Sequence, residues 1–368
     1  MISFQKNYDV EIPPTGAPGE MAYGKKQRIT SALRDLTNGE LDNTRRRAPR
    51  PVQFSQVHPA EDIDTGLKSK DETSVIRRLH SPDVADIDDM QLAIAEDIHA
   101  SLLKTQAFLV ASKRFPPEIS TSMRNILVDW MIEVAEEYKL VPETLFLSVM
   151  YTDVCLQEMN IHRSELQLLG TTCIMVAAKY EEIYAPPIDE LCYITDNSYT
   201  RSQIIKMERA VLKCLEFSLT RTTVNTFLTF YLSRIHTSTR CSSLAAFLAE
   251  LTLMCQTFLD FTPAVVATAA IFLAEYNLSD ARPRILELDL FELLDNNQLT
   301  RCIESMNKEF ASYDAEKFHA LHEKYSSQKY NEVATVVAKG NPLAMLKQKC
   351  TIQRGAGRPN EQNIHREV

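Results

Sequence analysis

The side chains best suited to chemistry are spread without a catalytic or ligating pattern. Cys155, Cys173, Cys192, Cys214, Cys241, Cys255, Cys302 and Cys350 form no Cys-x-x-Cys pair. Most sit inside apolar stretches of helical spacing, which reads as reduced core thiols rather than a disulfide framework or a zinc site. The eight histidines show no ligand spacing and are expected to be surface or hydrogen-bonded residues. Gly-x-Gly-x-x-Gly, Gly-Lys-Ser/Thr, His-Glu-x-x-His, Gly-x-Ser-x-Gly and His-Arg-Asp are all missing, and with them the usual means of cradling a phosphate, activating a metal-bound water or presenting a nucleophile. The expectation is a binding protein with no enzyme activity, no metal and no cofactor.

Several residue sets could bind. Met123, Ile126, Leu127 and Trp130 recur at i, i+3, i+4 and i+7, one face of a helix, which periodicity alone assigns to the core. A second stripe on the same stretch, Val128, Met131, Ile132 and Val134 with Ala135, is also available for packing. Lys179 and Glu208 taken alone would be a solvated pair contributing at most about 1 kcal/mol. Arg45-Arg46-Arg47-Ala48-Pro49-Arg50 has the composition of a nuclear import signal or of a solubilising charge run, and Ser81-Pro82 is a minimal site for a proline-directed kinase.

The elements that position these residues are legible from glycine and proline. Of nine glycines, only Gly170 lies between residues 86 and 339, so that stretch has little of the positive-φ chemistry of hairpins or Rossmann turns and should be nearly all helix. Pro116-Pro117, Pro142, Pro186-Pro187, Pro263 and Pro283 punctuate it. Thr200-Arg201-Ser202-Gln203 reads as a capping box and Thr262-Pro263 as an N-cap with a proline at the first helical position. Helices are expected near 88–106, 120–138, 142–157, 163–182, 187–195 and 200–215, then 221–235, 240–259, 263–277, 284–294, 298–311 and 314–326. Residues 1–85, rich in Gly, Pro, Ser, Asp and Arg, should remain a disordered tail. Its first 58 residues carry nine basic and six acidic side chains, so the acidic excess of the chain, net −9 overall, lies beyond them. That balance argues against a nucleic-acid surface. The absence of a long apolar run or signal segment points to a soluble, non-secreted protein with no membrane partner.

An offset of 97 residues places Gly170-Thr171-Thr172-Cys173-Ile174-Met175-Val176-Ala177 over Ala267-Thr268-Ala269-Ala270-Ile271-Phe272-Leu273-Ala274, small over small and large over large. It also sets Trp130 on Phe227 and Leu147 on Leu244. Two copies of one unit, each about five helices around a buried one, follow from this.

Residues 123–140, Met-Arg-Asn-Ile-Leu-Val-Asp-Trp-Met-Ile-Glu-Val-Ala-Glu-Glu-Tyr-Lys-Leu, resemble the opening of the cyclin box, closely that of A-type cyclins. The resemblance spans about residues 90–335 and continues through Leu166-Gln167-Leu168-Leu169-Gly170, Ala177-Ala178-Lys179-Tyr180-Glu181-Glu182-Ile183-Tyr184 and Lys206-Met207-Glu208. Five positions that mark the family are filled by Arg124, Asp153, Leu168, Lys179 and Glu208. Departures are Asn125, where Ala is usual, and Met150-Tyr151-Thr152-Asp153-Val154-Cys155-Leu156, where Asn-Tyr-Ile-Asp-Arg-Phe-Leu is usual.

The resemblance implies an all-α chain of tandem cyclin-box folds: a tail at 1–85, an N-terminal helix and linker at 86–118, boxes at 119–219 and 220–335, and a flexible C-terminal tail at 336–368. It implies a regulatory subunit that activates a cyclin-dependent protein kinase and takes part in S phase or mitotic entry. The kinase would meet Ile98, Lys179, Tyr180, Glu182, Ile183, Glu208, Leu212, Phe217 and Leu219. An exposed patch of Met123, Ile126, Leu127, Trp130, Glu133, Leu166 and Gln167 would dock Arg-x-Leu peptides of substrates and inhibitors, and Arg124 would pair with Asp153. Thr30-Ser31-Ala32-Leu33-Arg34-Asp35-Leu36-Thr37-Asn38 resembles a destruction box with Thr30 where Arg belongs, anchored by Leu33 and Asn38, which makes a ubiquitin ligase a further expected partner. The alternative is a cyclin-fold transcription factor acting on DNA or polymerase, against which the acidic balance and the Lys179/Glu208 pair both speak.

Overall fold

The computed structural model describes residues 84–106, 115–287 and 294–345. The destruction-box segment, the basic run, Ser81-Pro82 and most of the expected C-terminal tail lie outside them. Helix α1 (Val84–Thr105) falls in a unit of its own. The rest is helical, and among the described residues the one extended pairing is an isolated parallel bridge between Gln106 and Thr222.

The first repeat comprises α2 (Thr121–Glu137), α3 (Pro142–Glu158), α4 (Leu166–Glu181), α5 (Ile188–Ile194) and α6 (Arg201–Cys214). The second contains α7 (Val224–Arg234), α8 (Thr239–Leu253), α9 (Pro263–Leu278), a 3-10 turn at Arg284–Glu287 and α10 (Asn296–Ala311). A short α11 (His319–Tyr325) follows. The 97-residue offset is realised residue for residue in the central helices, since α4 begins at 166 and α9 at 263. Every residue from Leu166 to Ala178 is buried, as is every residue from Ala264 to Glu275. Helix α4 packs against α2, α3 and α6, and α9 against α7, α8 and α10. Such helices need small residues where a neighbour's side chain crosses. At Gly170 a β-carbon would stand 2.8 Å from Leu127 Cδ1, so α2 and α4 meet there too closely for a larger residue unless the Leu127 side chain shifts.

Helix starts follow the cap chemistry. Ser120 accepts from the Met123 amide at 3.2 Å, and Thr200 and Gln203 exchange bonds as a capping box. Pro263 does occupy the first turn of α9, but the Thr262 hydroxyl makes no cap bond. The expected helix at 221–235 starts later because Thr223 caps it from outside. The one at 240–259 ends at Leu253 and passes into a 3-10 turn, Gln256–Asp260. The one at 314–326 shortens to α11, whose start is set from another helix: Asp129 of α2 accepts from the amides of Ala320 and Leu321 at 3.2 and 3.4 Å. Of the expected 284–294 helix, the described residues are the 3-10 turn and Leu294, which is not helical.

Helix ends add a feature that composition does not reveal. Scarce glycine does not mean scarce positive φ: Lys139, Asp196 and Glu216 adopt φ of 51°, 54° and 51°. Each ends its helix with a paired bond pattern, for α6 Phe217 N to Leu212 O at 2.9 Å and Glu216 N to Lys213 O at 3.1 Å. This closure usually employs glycine, and an L-residue there costs about 1–2 kcal/mol.

Candidate functional site: an exposed ion pair and its apolar rim

Lys179 lies in the last turn of α4 and Glu208 midway along α6. Ile204, Met207 and Val211 form the buried face of α6 and hold it against α4, which leaves the neighbouring Glu208 at the rim of the contact. The Lys179 ammonium donates to Glu208 Oε1 at 2.5 Å, with side-chain exposures of 51% and 18%. An ion pair this open contributes little to folding.

Large apolar side chains surround it in solvent. Ile183 is 90% exposed and Phe217 71%, and Tyr180 is also exposed, while Leu212 and Leu219 are half-buried. Phe217 itself has φ of 56°, a strained conformation for an aromatic residue. It is held there by the closure of α6 and by Tyr151, whose hydroxyl donates to the Leu219 carbonyl at 2.7 Å. Tyr180 and Thr220 share a hydroxyl hydrogen bond of 2.6 Å. Solvent-exposed aromatic and aliphatic side chains beside two charges have the composition of a protein-binding surface. Two further residues were expected at this face. Ile98 is on α1, in the other unit, and Glu182 accepts from the Val141 amide and the Thr144 hydroxyl, both at 2.7 Å, which caps α3. Tyr184, 91% exposed, sits just beyond Ile183 and was not among the expected contacts.

The expected exposed docking patch is largely closed. Met123, Leu127, Trp130, Leu166 and Gln167 are buried, and only Ile126 and Glu133 are partly open. Leu127 is driven against Gly170, and the second stripe, Val128, Met131, Ile132, Val134 and Ala135, is buried as well. Helix α2 is therefore packed nearly all round, as its periodicity implied.

Arg124 and Asp153 form the bidentate pair that the resemblance implies. Nε and Nη2 donate to the two carboxylate oxygens at 2.7 Å each, with side-chain exposures of 1% and 2%. Burial alone would lower the Arg124 pKa, but the adjacent carboxylate outweighs it and the guanidinium is held charged. The third arm was not foreseen: Nη1 donates to the Leu253 carbonyl of the second repeat at 2.8 Å. Glu143 makes a second joint, accepting from Thr223, Thr226 and Asn225 at the start of α7 at 2.6, 3.0 and 2.8 Å, a carboxylate at the positive end of a helix.

A buried network also escaped the sequence reading. Lys324 of α11 donates to both Glu250 oxygens at 2.7 and 3.0 Å and pairs with Glu136 at 3.2 Å. The Tyr325 hydroxyl donates to Glu250 at 2.8 Å. The available signal was Glu250 itself, a carboxylate in the apolar run of α8 that must find a cation when buried.

The geometry has a counterpart among known families. The model of the cyclin N-terminal domain matches residues 96–220 and that of the cyclin C-terminal domain matches residues 222–339, one for each repeat. The chain belongs to the cyclin family. It is 38% identical over 294 residues to Cyclin-A1-1 of Arabidopsis thaliana, an alignment covering 76% of this chain and 64% of the relative. It is 36% identical over 246 residues to the G2/mitotic-specific cyclin-A of Patella vulgata, covering 66% of this chain and 58% of the relative. The cyclin thus spans under two thirds of the length of these curated relatives. Among solved structures it resembles a viral cyclin from herpesvirus saimiri, with a TM-score of 0.51 at 18% identity, covering 63% of this chain and 99% of the viral one. That likeness is one of fold.

Proposed function

We propose that this cyclin is the regulatory subunit of a cyclin-dependent serine/threonine kinase and acts by reshaping the kinase rather than by chemistry of its own. The observation that carries the reading is the exposed Lys179–Glu208 pair inside a rim of Tyr180, Ile183 and Phe217. The apolar rim would seat the kinase's mobile regulatory helix, and the two charges would fix its register by charge-assisted hydrogen bonds to backbone near the start of that helix. Seating moves the helix inward, so that its glutamate reaches the catalytic lysine and the activation loop is released. Binding the active arrangement more tightly than the inactive one is what shifts the population.

Recruitment of Arg-x-Leu substrates through Met123, Ile126, Leu127, Trp130, Glu133, Leu166 and Gln167 belongs to the same proposal, and it requires the closed stripe to open. So do a nuclear location directed by the basic run from Arg45 to Arg50, a role at S phase or mitosis, and turnover through the segment from Thr30 to Asn38. The test is to express the full chain with an affinity tag in dividing cells and assay what co-purifies. A kinase catalytic subunit with activity on a Ser-Pro peptide is expected. Polymerase components or DNA with no kinase activity would contradict the proposal.

A further inference from the structure

The second repeat carries a cavity with charged side chains on its wall that the kinase reading does not use. It lies where the chain leaves α7, enters α8 and leaves α9, and its wall includes His236, Ser238, Glu275, Arg282 and Arg284. Its volume is about 260 Å³, below the roughly 300–1,000 Å³ of pockets that take drug-sized ligands. A small ionic group fits that size.

The charges on the wall favour an anion. Arg282 makes no ion pair among the described residues, and Arg284 commits one guanidinium N–H to the His236 carbonyl, which leaves four of its five donors. The one carboxylate, Glu275, is buried and accepts from the Ile285 amide at 3.1 Å. Ser238 caps α8, a helix of 15 residues, so the positive end of its dipole meets the same cavity. The backbone that carries the arginines is also held in place. Pro283 between them is buried and fixes its own φ, and the next two residues, Ile285 and Leu286, are anchored at 2% exposure.

The internal repeat shows that packing does not demand this arrangement. At the 97-residue offset, the positions of Arg282 and Arg284 are Ala185 and Pro187 in the first repeat. Two arginines were placed where the architecture is satisfied without them.

We propose that this cavity binds a phosphate monoester carried by a phosphorylated serine or threonine of a partner protein, with Arg282 and Arg284 as the clamp. Paired guanidinium forks match the oxygens of a phosphate. A nucleic-acid backbone offers the same group, but a chain of net charge −9 repels an extended polyanion while a single monoester meets only the local field.

The experiment uses the full chain, a fluorescein-labelled phosphothreonine-proline peptide, its unphosphorylated twin and inorganic phosphate, with binding read by anisotropy. The phosphopeptide should bind at least tenfold tighter than its twin. Arg282→Ala with Arg284→Ala should remove that difference, since each lost charge-assisted bond corresponds to roughly tenfold or more. Circular dichroism of the variant should match wild type, because both side chains are exposed. Inorganic phosphate should compete only at millimolar concentration. Equal binding of the two peptides, unchanged binding by the double variant, or tight binding of inorganic phosphate without the phosphopeptide would each overturn the proposal.

Discussion

Replacing Arg124 with methionine should break the joint between the repeats, and the cost can be worked from its three bonds. Two go to Asp153, which is 2% exposed. Removing the guanidinium strands that carboxylate in the interior, at about 3–5 kcal/mol. The third goes to the Leu253 carbonyl, whose loss adds about 1–3 kcal/mol. A methionine of similar length recovers part of this through apolar burial, so the expected net loss is about 4–6 kcal/mol, a large share of the ~5–15 kcal/mol that holds a domain together. Arg124→Met with Asp153→Leu removes the stranded charge too, and should lose only the ~1–3 kcal/mol of the carbonyl. Urea melts followed by circular dichroism and by the fluorescence of Trp130, the one tryptophan of the chain, give both numbers. Equal losses in the single and double variants, or a loss under about 1 kcal/mol in the single, would refute the claim that this pair is a buried charge joint.

Three further outcomes follow. Glu216→Gly should raise stability by about 1 kcal/mol, because Glu216 sits at φ of 51° where glycine carries no strain; an unchanged or lower melting temperature would contradict it. Stability should be level through neutral pH and fall above about pH 10. Burial alone would lower Lys324, but Glu250 and Glu136 outweigh it and raise its pKa, while burial and then Glu250 raise that of Tyr325. The folded chain therefore holds protons that the unfolded chain releases near its ordinary values of 10.5 and 10.0, and melts at pH 8, 10 and 11 check the sign. Met123→Ala with Trp130→Ala should cost about 2–5 kcal/mol per residue, since both are buried; a near-native melting curve would show instead that the stripe is an open surface.

Much of this architecture was written in local chemistry. Glycine scarcity, proline spacing, the capping box at Thr200 and the first-turn Pro263 located the helices, and the 97-residue offset placed α4 and α9 in register. What sequence could not supply were contacts made across the fold. Asp129 looks like one more polar residue on α2, yet it sets the start of α11. Arg124 was paired with Asp153 through the family pattern, but its bond to a backbone carbonyl some 130 residues away has no side-chain signature. Glycine counting was silent on the helix ends, where Lys139, Asp196 and Glu216 take positive φ. At the candidate kinase face, the motif located Lys179 and Glu208, whereas the diversion of Glu182 to cap α3 depended on the approach of two helices.

The central claim is that Lys179 and Glu208 serve a partner and not the fold. The most direct test is to purify Lys179→Ala with Glu208→Ala, confirm unchanged helicity and melting, and measure phosphorylation of a short peptide by the co-purifying kinase. The account predicts a normal fold with activation lost. Full activation by the double variant would contradict it.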